Sequence, residues 1–234
     1  MVFEMIGFAT LQMNRSQLSM CFVLIFPWIL QIAPSLDCLA QSANEATLVD
    51  ASTVYDSCLV CHSTREMQRG PILDGLPSWY VLGQFKKFSE GIRGINNENK
   101  SELLMAPVVQ QYSDPEIWKK IAHQIESSPA PNHVKTIRGD HDKGRVLFAV
   151  CSSCHGSRGQ GNPELKAPPL NVQEDWYLMD QLRKFQIGMR GYDSRDVEGK
   201  LMQSIARMYS VKDLKDIVAF ISHNKESNRE VGQD

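Results

Sequence analysis

Cys58-Leu59-Val60-Cys61-His62 returns 93 residues later as Cys151-Ser152-Ser153-Cys154-His155. C-x-x-C-H is the spacing at which two thiols on one helical turn reach the two vinyl groups of a porphyrin, with the next residue, His, lying beneath the iron. A redox-active Cys pair, or half of a zinc site beside a chance His, is the competing reading of one copy. Two copies, each with His directly after the second Cys, favour the haem reading. The expectation is two covalently bound haem c groups, attached through Cys58, Cys61, Cys151 and Cys154, with His62 and His155 as proximal iron ligands.

The duplication extends well beyond the motifs. At an offset of 97, Pro71 matches Pro168, Leu73 Leu170, Trp79-Tyr80 Trp176-Tyr177, Gln84 Gln181, and Lys87-Phe88 Lys184-Phe185. Gly91, Arg93-Gly94, Met105 and Tyr112-Ser113 likewise match Gly188, Arg190-Gly191, Met202 and Tyr209-Ser210. Upstream, Tyr55 matches Phe148 at the offset of the cysteines, 93. The second copy therefore carries four extra residues after its haem motif, in the glycine-rich stretch from Gly156 to Asn162, where length changes are tolerated. Between the copies, Ser127-Ser128-Pro129-Ala130-Pro131-Asn132-His133 reads as an extended linker, stiffer than a Gly/Ser tether.

Periodicity within each copy is helical. Thr53 to Cys61 and Lys143 to Cys154 lead into the motifs, and Trp79, Leu82, Phe85 and Phe88 form one apolar face ahead of Gly91. Ser113-Asp114-Pro115-Glu116 reads as a helix start, with Ser113 and Glu116 forming a capping box and Pro115 in the first turn. Ser210 opens a last helix with Leu214, Ile217, Val218 and Ile221 on one face. No stretch reads as a β-strand. The fold class expected is all-α, two tandem haem-binding domains joined by the short Pro-containing linker: residues 1–40 a signal peptide, 41–128 the first domain, 129–234 the second.

An iron held by His from below takes a sixth ligand from above or leaves a position open, and that choice separates an electron carrier from an enzyme. Of ten methionines, only Met105 and Met202 occupy the same offset in both copies. Each stands seven residues before a Tyr-Ser helix start, in a stretch that reads as a loop. Met is most often a core filler, but two haems needing ligands select this pair as the axial thioethers. Met/His ligation raises the potential relative to two His ligands and keeps the iron six-coordinate in both oxidation states. Pro71 and Pro168 leave a backbone carbonyl free to accept the Nδ1–H of each proximal His, the plainer alternative being a rigid turn. Trp79, Tyr80, Gln84, Arg93 and their partners are candidate donors to haem propionates, or plain core. His123, His133, His141 and His223 read as surface or helix residues rather than ligands.

The 234 residues carry 25 basic and 27 acidic side chains, a balance that offers no basic face for nucleic acid. Charge is unevenly spread: residues 41–126 hold 8 basic and 11 acidic groups, and residues 127–234 hold 16 and 14. The segment from Leu18 to Leu36 is almost wholly apolar, follows Arg15, and ends near Cys38-Leu39-Ala40. It reads as a secretory signal cleaved after Ala40, with Met13 an alternative start, or else as a retained anchor. Either reading places the folded part outside the cytoplasm, with a loose association with the membrane as one option. Cys21 and Cys38 fall inside that segment and read as ordinary small apolar residues.

With these features in place, the chain resembles the cytochrome c4 family of dihaem cytochromes c, from about Val49 to Asn224. The likeness rests on the two haem motifs, Pro71-Ile72-Leu73-Asp74-Gly75, Trp79 to Phe88, Met105-Ala106-Pro107, Tyr112-Ser113-Asp114 and the matching stretches of the second copy. It implies two class I cytochrome c domains packed about a pseudo-twofold axis with their haems near one another, and axial Met at Met105 and Met202. It also implies a periplasmic carrier taking electrons from a quinol-oxidising complex toward a terminal oxidase, with no substrate chemistry of its own. The same dihaem module serves as the cytochrome subunit of flavin-dependent sulfide dehydrogenases and other periplasmic dehydrogenases, so a dehydrogenase partner is the alternative. The chain departs from the family at Ser63-Thr64-Arg65, at Gln203-Ser204 after Met202, and at His123, where an aromatic would pack on the first helix.

Overall fold

In the computed structural model the described residues are 50–63, 70–131 and 134–230, with side chains in the last helix described as far as His223. The proposed leader, with Cys21 and Cys38, lies outside them, as do Met67 and His133. Eight helices and no strand are found among the described residues: α1 (Ala51–His62), α2 (Ser78–Ser89), α3 (Lys100–Gln111), α4 (Pro115–Ser127), α5 (His141–His155), α6 (Asp175–Gln186), α7 (Val197–Ala206) and α8 (Val211–Glu230). None of them is long and apolar enough to cross a membrane.

The helices begin where short polar side chains can cover free N–H groups. Asp140 accepts from Lys143 N at 3.0 Å and Asp196 from Gly199 N at 3.0 Å. Ser210 and Asp213 cap one another reciprocally, Asp213 N donating to Ser210 Oγ and Ser210 N to the Asp213 carboxylate, each at 3.1 Å. The start of α4 differs from the expectation. Asp114, not Ser113, is the cap, accepting from Glu116 N at 2.9 Å, and Pro115 takes the first helical position. A carboxylate one residue closer to Pro115 reaches the first-turn N–H directly, so no capping box forms.

Packing repeats with the sequence. α1 and α2 both lie on α4, and α3 lies on α2; α5 and α6 both lie on α8, and α7 on α6. The first core gathers Val54 and Tyr55 of α1, Leu76, Val81 of α2, and Ile121, Ala122 and Ile125 of α4. The second gathers Phe148 of α5, Leu178 and Met179 of α6, and Leu214, Ile217, Val218, Phe220 and Ile221 of α8. Phe220 is buried against Phe148 at 5.4 Å, whereas His123, its match in the first copy, is exposed. The tight crossing is that of α5 on α8. Asp216 is buried there and accepts from Asp140 N at 2.8 Å and from Lys212 at 3.0 Å. Both copies belong to one compact unit.

Candidate haem sites and the interface between the copies

Each C-x-x-C-H closes a helix, so its cysteines stand one turn apart on α1 or α5 with His as the terminal residue. None of these four cysteines is in a disulfide. Cys58 is half-buried against the first core and Cys151 against the second, while Cys61 is exposed. Burial pushes the Cys58 thiol up, and that of Cys151 to about 11.

The two imidazoles are held identically. His62 donates Nδ1–H to Pro71 O at 2.7 Å, and His155 donates to Pro168 O at 2.7 Å. The carbonyl therefore settles the tautomer and leaves Nε2 with its lone pair, the form that ligates iron. Burial lowers both imidazole pKa values, against a smaller opposing pull from the carbonyl, so both rings are neutral at pH 7. The backbone is shaped to allow this. A Cβ at Gly70 would lie 2.5 Å from His62 Cε1, and one at Gly161 (φ +83) would lie 2.6 Å from Pro169 N. Gly161 N in turn donates to His155 O at 2.8 Å, holding the loop beneath the ring.

In the second copy, Cys151, His155 and Met202 line one cavity with Leu170, Leu178, Leu182, Ile205, Ala206, Tyr209, Leu214, Ile217 and Ile221. Thiol, free imidazole nitrogen and thioether thus meet across an apolar space, the donor set and lining that a covalently bound haem needs. The first copy repeats much of this lining, with Cys58, Leu73, Leu82, Phe85, Tyr112 and Ile117 packed around its core. Met105, Trp118 and Phe85 pack against the cluster of Phe88, Ala106 and Val109, and Phe85 also packs against the first core, as Cys58 does. Both methionines lie on helices, Met105 on α3 and Met202 on α7, which corrects the loop expected from sequence. Pro107 stands exposed on α3, and the helix runs through it.

The residues considered as propionate donors meet at the junction of the two copies. Arg93 donates to Gln84 Oε1 at 2.7 Å in its own copy and to Gln181 Oε1 at 3.4 Å in the other. Arg190 donates to Gln181 Oε1 at 2.7 Å and to Gln84 Oε1 at 3.4 Å. The reciprocity is that of a local twofold axis. The Tyr80 phenol feels Arg190 and the Tyr177 phenol feels Arg93, each across the junction. Lys87 forms ion pairs across it with Asp196 at 2.5 Å and Glu198 at 3.1 Å, and Lys184 adds a hydrogen bond to Ser101 Oγ at 2.8 Å. Gln173 Nε2 donates to Ile72 O at 2.9 Å, beside the carbonyl that holds His62.

One member was missed from sequence. Glu102, only 4% exposed, takes Arg93 Nη2 at 2.6 Å and Nε at 2.8 Å. Burial pushes its carboxyl up, but Arg93, Arg190 and Lys184 outweigh that and hold it below the usual range. The signal lay in what the copies do not share, because at an offset of 97 Glu102 faces Gly199.

The comparisons with known proteins agree with this geometry. The cytochrome c family model matches residues 141–225. Cytochrome c4 of Azotobacter vinelandii is 25% identical over 78% of this chain and 90% of its own length. The thiosulfate dehydrogenase electron acceptor of Stutzerimonas stutzeri is 28% identical over 76% of this chain and 82% of its own. Cytochrome c-554(548) of Halomonas halodenitrificans is 31% identical over 36% of this chain and 95% of its own. The solved cytochrome c4 of Acidithiobacillus ferrooxidans superposes with a TM-score of 0.58 at 26% identity, over 71% of this chain and 98% of that one. A duplicated helical module, two C-x-x-C-H helix ends with neutral imidazoles and relatives matched across both copies lead to one conclusion: the chain belongs to the cytochrome c4 family of dihaem cytochromes c, electron carriers with two covalently bound haem c groups.

Proposed function

We propose that His62 with Met105, and His155 with Met202, are the axial pairs of two low-spin irons, with Cys58, Cys61, Cys151 and Cys154 as the thioether attachments. The observation that carries this is the pair of matching 2.7 Å bonds from His Nδ1 to a Pro carbonyl, one of them in a cavity that Met202 also lines. Haem supplies a one-electron couple. The chain's contribution is to orient each imidazole, to keep Nε2 unprotonated, and to wall the site with apolar side chains that exclude water. In this reading residues 1–40 are a leader removed on export, residues 41–128 and 129–234 are the two haem modules, and the mature protein works in the periplasm. It carries electrons from a quinol-oxidising respiratory complex toward a terminal oxidase.

Mass spectrometry of the mature protein tests the attachment. It should show a start at Gln41 and two haem additions, and one addition or none refutes the reading. Ligation is tested by Met105→Ala and Met202→Ala, each of which should remove about half of the long-wavelength Met–iron charge-transfer band by opening one of two equivalent sites. A band at full intensity in either variant removes that methionine from the ligand set.

The second reading is an electron-accepting subunit of a periplasmic dehydrogenase, favoured by the 28% identity to a thiosulfate dehydrogenase electron acceptor. Flavin-dependent sulfide dehydrogenase is another enzyme of that kind. Co-purification from native periplasm separates the two: a stoichiometric catalytic chain supports the subunit, and a free dihaem protein supports the carrier.

A further inference from the structure

We propose that Gln186, Gln203 and Arg207 are positioning residues for Met202, a brace that holds α7 in place so that the thioether stays on the second iron and small ligands are kept off it. The inference rests on the ligation proposed above.

Met202 lies near the middle of α7, between two places where that helix is fastened to the chain that precedes it. At its first turn α7 lies directly on Gly191, where a Cβ would lie 2.3 Å from Gly199 O. At its other end three side chains tie it to the turn after α6. Gln203 Nε2 donates to Arg190 O at 3.1 Å, and Arg207 Nε to Gln186 O at 3.2 Å. Gln186 Nε2 donates in return to Tyr209 O at 2.7 Å and reaches Ala206 O at 3.5 Å. The two α7-side groups converge on Gly188, where a Cβ would lie 3.4 Å from Arg207 Nη2 and 3.7 Å from Gln203 Nε2. Ala206 and Tyr209 line the cavity alongside Met202, so the braced stretch is itself part of the wall of the second site.

The first copy is built without these ties. At an offset of 97, Ser89, Ala106 and Gln110 stand where the second copy has Gln186, Gln203 and Arg207. Ser89 Oγ bonds instead to Lys86 O in its own helix, at 3.0 Å. A Cβ at Gly91, the counterpart of Gly188, would meet only Ile95 Cγ2 within 4 Å beyond its chain neighbours, and no side chain of α3. The shared fold therefore forms without a brace, and its three members are an addition to it.

What the addition does follows from the ligand it holds. A thioether is neutral and soft, a poor match for ferric iron, so its bond depends on being kept in place. Release requires α7 to move away from His155, and every bond to the turn opposes that movement. A small ligand such as imidazole gains the iron only in the released fraction, so its apparent affinity rises in proportion to that fraction. Loss of one neutral hydrogen bond should raise the released fraction about fivefold.

The test titrates imidazole into ferric holoprotein carrying Met105→His, where the second site alone gives the Met–iron charge-transfer band. Gln203→Leu keeps the bulk and removes the donor, and Arg207→Ala alters an exposed side chain, so it serves if the first variant does not accumulate. Each should lower about fivefold the imidazole concentration that removes half of the band. Ser204→Ala loses only a bond within α7, from Oγ to Lys200 O at 3.2 Å, and should leave that concentration in place. Melting temperatures are read on the same samples. A brace that serves stability alone would lower the melting temperature and leave the imidazole midpoint unmoved, and that result overturns the proposal, as does an equal shift in Ser204→Ala. Absence of the band in the Met105→His protein removes Met202 from the ligand set and the proposal with it. A band that is present but unmoved by either variant refutes the brace alone.

Discussion

Replacing Gly144 by Ala puts the α5–α8 crossing to a quantitative test. Gly144 lies inside α5, where Ala is ordinarily the better helix former by about 1 kcal/mol. Here the added Cβ would lie 2.0 Å from Asp216 O and 2.6 Å from Asp216 C, both backbone atoms of α8. Ordinary contact needs roughly 3.5 Å, so the helices must part by over ~1 Å. A gap of that size forfeits a quarter to a half of the dispersion attraction at each contact. The contacts affected are those of Phe148 with Phe220, and of Leu214, Ile217 and Val218. Overpacking of this kind costs about 1–3 kcal/mol, and more where neither side can yield. With two backbones opposed we take the cost as ~3 kcal/mol, and the helix-propensity gain leaves a net loss of about 2 kcal/mol. For a module of this size that is a fall in melting temperature of roughly 8–16 °C. The control is Gly83→Ala in α2, where a Cβ meets nothing within 4 Å, so the same substitution should be neutral or stabilising by ~0.5–1 kcal/mol. Calorimetry or circular dichroism on the two holoproteins reads the difference. A G144A protein as stable as wild type, or a G83A protein that loses as much, refutes the packing argument. Because α5 carries Cys151, Cys154 and His155, a parted crossing also loosens the second haem site.

Acid should weaken the second copy first. Its bond to Lys143 holds the Asp213 carboxyl down to about 2, and Glu198, which burial pushes up, is brought to about 2 by its own N–H and by Lys87 and Lys166. Both folded values lie below the unfolded ones of 3.8 and 4.5, so the stabilisation is complete above about pH 4.5 and is lost as pH falls toward 2. A melting temperature flat across that interval contradicts it. Charge steering is best probed at Lys215 and Lys120, which are exposed, because Lys212 and Lys143 are engaged by Asp216 and Asp213 and Lys119 by Glu116. Lys215→Glu should slow electron transfer with an acidic partner, with the effect fading as salt rises, and Lys120→Glu should matter less. Equal effects, or none that salt alters, refute steering by the uneven charge of the two halves.

The haem motifs, the duplication and the helical class were legible in sequence because each is local or periodic. C-x-x-C-H acts within one helical turn, an offset of 97 needs no coordinates, and an apolar face repeats every three or four residues. The proline carbonyls were within reach for the same reason, being tied to a matched position in each copy. Tertiary structure decided what depends on distant chain segments meeting. It placed Met202 in one cavity with Cys151 and His155, and set both methionines on helices that local pattern had read as loop. It brought Gln84, Arg93, Gln181 and Arg190 together across the junction, where no spacing rule could join residues 97 apart. Above all it gave Glu102 its meaning. In sequence Glu102 is one of 27 acidic residues. In the fold it is a buried charge against Arg93, on a helix that Gly94 lets approach its loop closely.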